Sequence, residues 1–214
     1  MHMKLANWLK VPVLVRAALV GFIAVTSLAP AHADSLPVNN PGFETFALNP
    51  NVFSTHIGIG SGFQLLSADP IPGWVLNGHG GSWRPAPGYF PAGVPEGVNI
   101  AWLEYDSMHS SVLSQVLVDV LTANTVYTLS VKVGRRSDYP LAPFSVQLVA
   151  GGDVLAEGTL DTIPAGQFQT VTVTFTAPDD HPQLGQPLEI RLTANNANRQ
   201  QVAFDDVSLD ATAQ

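Results

Sequence analysis

The chain contains no cysteine among its 214 residues. No disulfide can therefore link its strands, and a cysteine nucleophile or a cysteine-ligated metal is excluded. A chain of this length buries a sufficient apolar core without crosslinks. The absence of cysteine thus limits the available chemistry rather than the stability of the fold.

Lysine and arginine are also scarce, nine in all against 17 aspartates and glutamates. Three of the nine, Lys4, Lys10 and Arg16, lie in a leader that we expect to be removed, which leaves a net charge of about −11 on the remainder. A surface of this charge repels phosphate backbones, so we expect no nucleic-acid partner. It also leaves carboxylates available for a divalent cation.

The first 33 residues have the organisation of a secretory signal peptide. The basic residues precede an uncharged apolar run, Ala17 to Leu28, and Ala31-His32-Ala33 places small residues where signal peptidase reads them. The run is shorter than the ~20 residues that span a bilayer. We predict cleavage before Asp34, a secreted or periplasmic protein with no membrane insertion after cleavage, and one domain over residues 34–214.

Long helical repeats are missing from the rest of the chain, whereas alternation of apolar and polar residues is frequent. Such a period of two is typical of half-buried strands, and segments rich in Gly, Pro, Asn and Asp separate the alternating runs. A valine-rich segment, 112–121, also favours a strand that ends in a turn. The pattern predicts an all-β antiparallel two-sheet β-sandwich, with strands at 126–133, 144–148, 171–175, 188–192 and 201–209.

Five short motifs follow one another along this pattern. They are Asn40-Pro41-Gly42-Phe43-Glu44, Ile71-Pro72-Gly73-Trp74, Ser114-Gln115-Val116-Leu117, Tyr127-Thr128-Leu129 and Phe204-Asp205-Asp206-Val207-Ser208-Leu209. In these motifs the chain resembles the galactose-binding-like jelly roll of several carbohydrate-binding modules. It is also similar to the plant cell-wall proteins of domain-of-unknown-function family 642. The resemblance covers nearly all of residues 36–210 and implies a jelly roll that binds polysaccharide or oligosaccharide.

The resemblance also implies a structural calcium ion. In such modules the glutamate of the first motif and an aspartate of the last one meet on neighbouring strands, which corresponds here to Glu44 with Asp205 and Asp206. Backbone carbonyls such as that of Gly42 would complete an oxygen shell, which suits calcium better than zinc. We favour Asp205 over Asp206, because alternation along the last strand groups Asp205 with Val207 and Leu209.

Candidate ligand-binding residues are aromatic and basic side chains in and near a loop that we predict for Gly78 to Pro95. Aromatic rings stack on the apolar faces of sugars, and arginine hydrogen-bonds their hydroxyls. Two alternatives stay open, because Trp102 could fill the core and Arg135 and Arg136 could pair with Asp138. The candidates are Trp83, Tyr89, Trp102 and Tyr139 for stacking and Arg84, Arg135 and Arg136 for polar contacts.

Motifs of hydrolytic enzymes are largely missing. The histidines after the leader show no H-x-x-x-H spacing, and the chain has no G-x-S-x-G nucleophile elbow. Glu104 and Asp106 would share one face of a strand, as the carboxylate pair of a glycoside hydrolase does. Such a pair at a strand end is more often solvated, so we expect no enzymatic activity.

The sequence therefore predicts a secreted, non-catalytic carbohydrate-binding protein with a structural calcium ion. A structural or adhesive protein of the envelope or matrix is one alternative, and it predicts buried aromatic residues. A glycan-active hydrolase is the other. The exposure of Trp83, Tyr89 and Trp102 separates the first function from the second.

Overall fold

The computed structural model describes residues 33–48, 71–104, 110–195 and 200–214, together with the backbone of 52–54 and 63–64. The chain divides into Met1–Pro30 and Ala31–Gln214. The predicted signal peptide lies outside the described residues except for Ala33. Nowhere in the described ranges is there a helix long and apolar enough to cross a membrane.

The described residues form two sheets, and neighbouring strands are antiparallel except for one parallel pair, Val52–Ser54 with Phe63–Gln64. This arrangement confirms the predicted all-β two-sheet sandwich. The large sheet has the order β11 (Gln167–Ala177), β8 (Thr125–Arg135), β13 (Gln201–Ala213), β6 (Ile100–Glu104), β5 (His79–Arg84), β2 (Val52–Ser54) and β3 (Phe63–Gln64), with β1 (Ala33–Leu36) also paired to β13. The small sheet has the order β10 (Asp153–Gly158), β9 (Phe144–Ala150), β12 (Pro187–Ala194), β7 (Ser111–Val120) and β4 (Val75–Asn77).

The main core lies between the sheets and is built from the apolar members of the alternating strands. On β8, Leu129, Val131 and Val133 are fully buried. They belong to one cluster with the inward residues of β9 and β12, including Leu148 and Ile190. Because one face of each strand is buried in this way, period-two alternation located these strands correctly from the sequence.

The large sheet has a second face, which points away from the small sheet and which we call the outer face. On β6, Ala101 and Leu103 belong to the main core, whereas Ile100 and Trp102 belong to a separate apolar cluster. The register places Trp83 of β5 opposite Ile100. Directly paired residues point to the same side of a sheet, so the outer face carries Ile100, Trp102, Glu104, Trp83 and His79.

Strand β5 lies where the sequence predicts part of a long loop. Gly80 and Gly81 make this segment resemble a loop in composition, but they stand inside the strand and are buried. A Cβ at Gly80 would overlap the Trp102 carbonyl oxygen and the Leu103 side chain. Glycine is therefore required here by close packing, a situation that composition alone does not distinguish from a flexible loop.

Strand β13 contains an irregularity between Asp205 and Ser208. Val202 and Phe204 face the main core before it, and Val207 and Leu209 face the main core after it. The inserted residue, Asp206, has a φ of 48°. The predicted grouping of Asp205 with Val207 is therefore wrong, because the bulge places Asp205 on the outer face with Ala203.

Candidate functional site

The apolar cluster on the outer face is separate from the main core. Residues 85–99 connect β5 to β6 and supply Phe90, whose ring centroid lies 4.7 Å from that of Phe168. The result is a region of the sheet that is lined with aromatic rings. Its members are Trp83, Phe90, Ile100, Trp102 and Ala203, with Tyr89, Val94 and Phe168 packed against them.

Glu104, the last residue of β6, lies at one end of this cluster. It stands opposite His79 on β5 and opposite Gln201 on β13, so the three side chains share the outer face. His79 Nδ1 lies 3.9 Å from Glu104 Oε2. The imidazole also packs edge-on against Trp102, with 5.1 Å between the ring centroids. The Glu104 side chain is 22% exposed, so a ligand can reach it from solvent.

The surroundings of Glu104 favour its protonated form. Burial raises the pKa of the Glu104 carboxyl above its ordinary value. The charges of His79 and Arg136 and a hydrogen bond with Tyr139 lower this pKa in part, but the net direction is upward. Glu104 therefore keeps its proton to a higher pH than a solvated glutamate does, and a carboxyl of this kind can act in acid–base chemistry.

Arg136 extends over the aromatic cluster from the segment after β8. Its guanidinium carbon lies 4.8, 4.7 and 5.2 Å from the ring centroids of Trp83, Tyr89 and Tyr139. Two N–H groups donate to the Asp138 carboxylate, each at 3.0 Å. A third donates to Gln201 Oε1 at 3.1 Å. Arg136 thus pairs with Asp138, one of its two expected roles, and also covers the rings beside Glu104.

The predicted sugar-stacking residues do not form an exposed platform. Trp83 and Trp102 are 0% and 1% exposed. Trp83 belongs to β5 rather than to a loop, and Tyr89 and Tyr139 are half-buried. The structure does bring Trp83, Tyr89 and Tyr139 together, but as rings packed around Arg136. The prediction of exposed rings in a groove is therefore wrong for Trp83 and Trp102, because neighbouring side chains cover them.

The other two predicted arginines lie apart from Glu104. Arg84 donates to the Leu48 carbonyl oxygen at 3.0 Å and lines a cavity of about 450 Å³ beside residues 85–94. Arg135 donates to the Ile163 carbonyl oxygen at 3.4 Å. Both guanidinium groups therefore bind backbone carbonyls of other segments, and the structure does not bring them into the Glu104 site.

The predicted calcium ligands Glu44 and Asp205 meet at one turn, residues 96–99. Glu44 Oε1 accepts hydrogen bonds from the N–H groups of Val98 and Asn99, at 2.7 and 2.6 Å. Asp205 Oδ2 accepts one from the N–H of Glu96 at 3.0 Å. Glu44 of the first motif and Asp205 of the last are thus tied to the same turn, and their proximity is what the resemblance implied.

The other two predicted ligands have different surroundings. A Cβ on Gly42 would overlap the carboxylate of Glu96. Glu96, which belongs to the turn itself, therefore places a third acidic side chain against Gly42. Asp206 is exposed, and its N–H donates to Asp205 Oδ1 at 2.8 Å. In the ranges that the structure describes, no group of three or more His, Cys, Asp or Glu side chains could hold a metal ion. Calcium therefore stays a prediction.

Sequence reasoning missed the grouping of His79, Glu104 and Gln201. Glu104 was considered only as the partner of Asp106, which lies outside the described residues. The available signal was the order Trp102-Leu103-Glu104, because alternation places the carboxyl and the indole on one face. The strand that brings His79 to this face was hidden by its glycines.

The comparisons with known proteins identify relatives over nearly the whole sandwich. The model of the HpiC1-like family, described as HpiC1 cyclase, matches residues 34–210. No protein with a curated description matches the chain. An α-L-arabinofuranosidase is 14% identical over 83% of this chain and 26% of that chain, with a TM-score of 0.53, which shows a shared fold alone.

Three solved structures of cyclases match at higher identity. The Stig cyclase FisC from Fischerella sp. TAU, in complex with (3Z)-3-(1-methyl-2-pyrrolidinylidene)-3H-indole, is 30% identical over 86% of this chain and 100% of that chain, with a TM-score of 0.72. A cyclase from Fischerella sp. TAU in complex with 4-(1H-indol-3-yl)butan-2-one is 29% identical over 85% and 99%, with a TM-score of 0.71. An apo cyclase from Fischerella sp. is 28% identical over 85% and 98%, with a TM-score of 0.70.

These relatives correct the predicted function. The sandwich is shared with the resemblance that the motifs indicated, but the matched family consists of cyclases rather than carbohydrate-binding modules. The predictions of a non-catalytic protein and of a polysaccharide partner are therefore wrong, since the matched complexes hold small indole-derived molecules. Because the family model covers residues 34–210, the chain belongs to the HpiC1-like cyclase family.

Proposed function

We propose that this chain catalyses a proton-initiated ring closure of a small indole-containing molecule at the outer face, with Glu104 as the proton donor. The observation that carries the proposal is a reachable carboxyl with a raised pKa beside the ring of Trp102. The Fischerella cyclase that binds 4-(1H-indol-3-yl)butan-2-one supports the class of ligand.

The proposed reaction needs one proton and returns it. The O–H bond of Glu104 breaks as its proton adds to a carbon of a substrate double bond, which leaves a carbocation and the Glu104 carboxylate. A second double bond of the same molecule, or its indole ring, then attacks the cation and forms the new ring bond. The resulting cation loses a proton to the Glu104 carboxylate. The product is an isomer of the substrate, so no oxidant or reductant is required.

The outer face supplies what such a reaction needs from a protein. Aromatic rings stabilise a nearby cation through their negative faces; Tyr139 hydrogen-bonds the Glu104 carboxyl, and Trp102 lies on the same face of the sheet. An apolar substrate bound against this apolar cluster would displace water, which would otherwise capture the cation and give an alcohol instead of a ring. Apolar walls with one acid therefore favour cyclisation over hydration.

A second acid with a raised pKa also lies on the outer face, but it is less accessible. Asp205 is 0% exposed, and both of its carboxyl oxygens accept backbone N–H bonds. A substrate would reach it only after residues 96–99 moved. Glu104 is therefore the proton donor that the observed geometry favours.

Turnover by purified protein tests the proposal. A panel of indoles that carry an unsaturated side chain would be incubated with the chain and separated by liquid chromatography with mass detection. We expect at least one new peak of unchanged mass. Glu104→Gln should reduce its rate by a factor of about 100 or more, because general acid catalysis contributes that much.

Two matched variants complete this experiment. Glu189 is also a partly buried glutamate, paired with Arg191 at 3.1 Å on the small sheet, so Glu189→Gln should leave the rate unchanged. Asp205→Asn tests the second acid. Loss of turnover in folded Asp205→Asn with retention in Glu104→Gln would assign the proton to Asp205 instead. Absence of any isomer with the wild-type chain would refute the proposal.

We also propose that calcium binds at the turn of residues 96–99. The groups there are oxygen donors, as calcium prefers. Asn99 Oδ1 is buried and accepts no hydrogen bond, so a cation would satisfy it, and a cation would also balance the charge of the fully buried Asp205 carboxylate. Glu44, Asn99 and Asp205 would hold the ion, and its role would be to fix residues 96–99 over the outer face.

Export is a further proposal, which depends on the composition of residues 1–33. Cleavage before Asp34 would leave most of β1 in place, because Asp34, Ser35 and Leu36 pair with β13. Intact-mass measurement of the protein recovered from the expressing cells tests it, since the proposal expects a mature chain that starts at Asp34.

A further inference from the structure

We propose that Arg136 is the positioning residue of the Glu104 site: its guanidinium, clamped among three rings and two polar side chains, places a fixed positive charge beside the carboxyl. The inference rests on the proposed role of Glu104. It adds a second residue that determines at what pH the site can donate a proton.

The clamp around Arg136 restrains the guanidinium on several sides. The rings of Trp83, Tyr89 and Tyr139 lie within 4.7 to 5.2 Å of its central carbon. Its edges donate to Asp138 and Gln201 at 3.0 and 3.1 Å. A planar, delocalised cation can stack on rings and bind a carboxylate with two parallel N–H groups at once, which lysine cannot do.

The same contacts connect Arg136 to Glu104. Gln201, which accepts from Arg136, stands directly opposite Glu104 on the neighbouring strand. Tyr139, which packs against the guanidinium, hydrogen-bonds the Glu104 carboxyl. Moving Arg136 would therefore release both side chains that border the carboxyl on this side.

The charged and titratable groups around Glu104 determine the sign of the effect. His79 faces the carboxyl from β5, and Arg136 and Tyr139 act on it from the segment after β8, where Asp138 pairs with Arg136. Burial favours the neutral carboxyl, whereas Arg136 favours the ionised one. Asp138 partly cancels the charge of Arg136, to which it is paired at 3.0 Å. Burial thus raises the proton affinity of the Glu104 carboxyl, and Arg136 lowers it.

Carboxyl carbon NMR of the glutamates tests this inference without any substrate. The Glu104 signal, assigned by its absence in Glu104→Gln, would be titrated in wild type, Arg136→Gln and Asp138→Asn. Arg136→Gln should raise the titration midpoint by about one pH unit, because a neighbouring cation has been removed. Asp138→Asn should lower it, because the charge of Arg136 is then uncompensated. Arg191→Gln, which removes a paired arginine from the small sheet, should leave it unchanged.

The two variants move the midpoint in opposite directions, which a merely structural role would not produce. Asp138 is 49% exposed, so Asp138→Asn is expected to fold even if Arg136→Gln does not. An unchanged midpoint in folded Asp138→Asn, or in folded Arg136→Gln, would overturn the inference. The alkaline limit of turnover should follow the midpoint in both variants. If the midpoints move while the alkaline limit of turnover does not, Arg136 still sets the pKa of the Glu104 carboxyl, but Glu104 is not the acid of the reaction.

Discussion

The Asp205 carboxyl is an acidic group buried within the outer face. Burial raises its pKa to about 8, although hydrogen bonds from the N–H groups of Glu96 and Asp206 act in the opposite direction. The bulge after Asp205 is what turns it to this face, and the φ of 48° at Asp206 is part of that bulge. One inserted residue thus places a carboxyl where an unbroken strand would have pointed it into the main core.

This pKa predicts how the stability of the metal-free protein depends on pH. The folded state holds the Asp205 proton up to a pH of about 8, whereas the unfolded chain releases it near the ordinary aspartate pKa of 3.8. The stabilisation is therefore complete below the lower value and is lost as the pH rises through the upper one. We expect the Tm of the metal-free protein to fall between about pH 5 and about pH 9, and the slope to be smaller in Asp205→Asn.

Calcium should change this dependence. Because the ion requires the ionised carboxylate, added calcium should raise the Tm more near pH 9 than near pH 5. EDTA should remove the effect, and Asp205→Asn should weaken it. If the Tm of the metal-free protein falls with pH equally in wild type and in Asp205→Asn, burial of Asp205 is not the cause of the fall. A Tm near pH 9 that is the same in calcium and in EDTA would contradict the calcium proposal.

At the scale of single residues, the sequence indicated several site residues but not the side chains that surround them. The family resemblance implied that Glu44 and Asp205 lie close together, and the turn of residues 96–99 joins them. Period-two alternation could not show the bulge, which depends on a single positive φ. The environment of Glu104 was also hidden, because it is assembled from His79, Arg136 and Tyr139, which are distant in sequence.

At the scale of elements, β8 and β11 form one side of the outer face. Phe168 of β11 stands opposite Gly134 of β8, and its ring lies against the space that a Cβ on Gly134 would occupy. The same ring packs on Phe90, which belongs to the segment that covers the face. Gly134 therefore allows the covering segment, Phe168 and the sheet to pack closely.

Gly134→Ala should lower the free energy of unfolding by about 1 to 3 kcal/mol, because the added methyl displaces the Phe168 ring from a packed cluster. Gly88→Ala is the matched control, since a Cβ there would have nothing within 4 Å. Its effect should stay within about 0.5 kcal/mol. Urea unfolding of both variants measures the difference, and equal midpoints would show that the contact contributes nothing.

The two halves of the chain differ in how far their elements could be predicted. Strands β8, β9, β11, β12 and β13 alternate apolar and polar residues in the sequence, so alternation identified them, although β9 and the start of β13 are buried on both faces. Strand β5 carries small residues on the buried positions at Gly80 and Gly81, where the chain backbone itself is packed. Such a strand gives no apolar alternation, and it becomes visible in the structure through its pairing with β6 and β2.

At the scale of the whole molecule, the described residues of the sandwich form two apolar regions with different roles. The main core between the sheets holds the strands together. The cluster on the outer face is packed under residues 85–99 and borders the Glu104 site. The motifs alone favoured carbohydrate binding, because they are features of the fold and do not depend on the function of the outer face. Function depends on that face, and apart from Asp205 the side chains described there come from segments that the motifs do not include.

The most direct test of the account is a crystal structure of the chain grown with 4-(1H-indol-3-yl)butan-2-one. We expect the indole to lie on the outer face, with its ring against the half-buried Tyr139 and within hydrogen-bonding or van der Waals distance of the Glu104 carboxyl. An indole found instead in the cavity beside Arg84, or on the small sheet, would contradict the assignment of the site. Crystals that show no bound indole at saturating ligand would contradict the proposed ligand class.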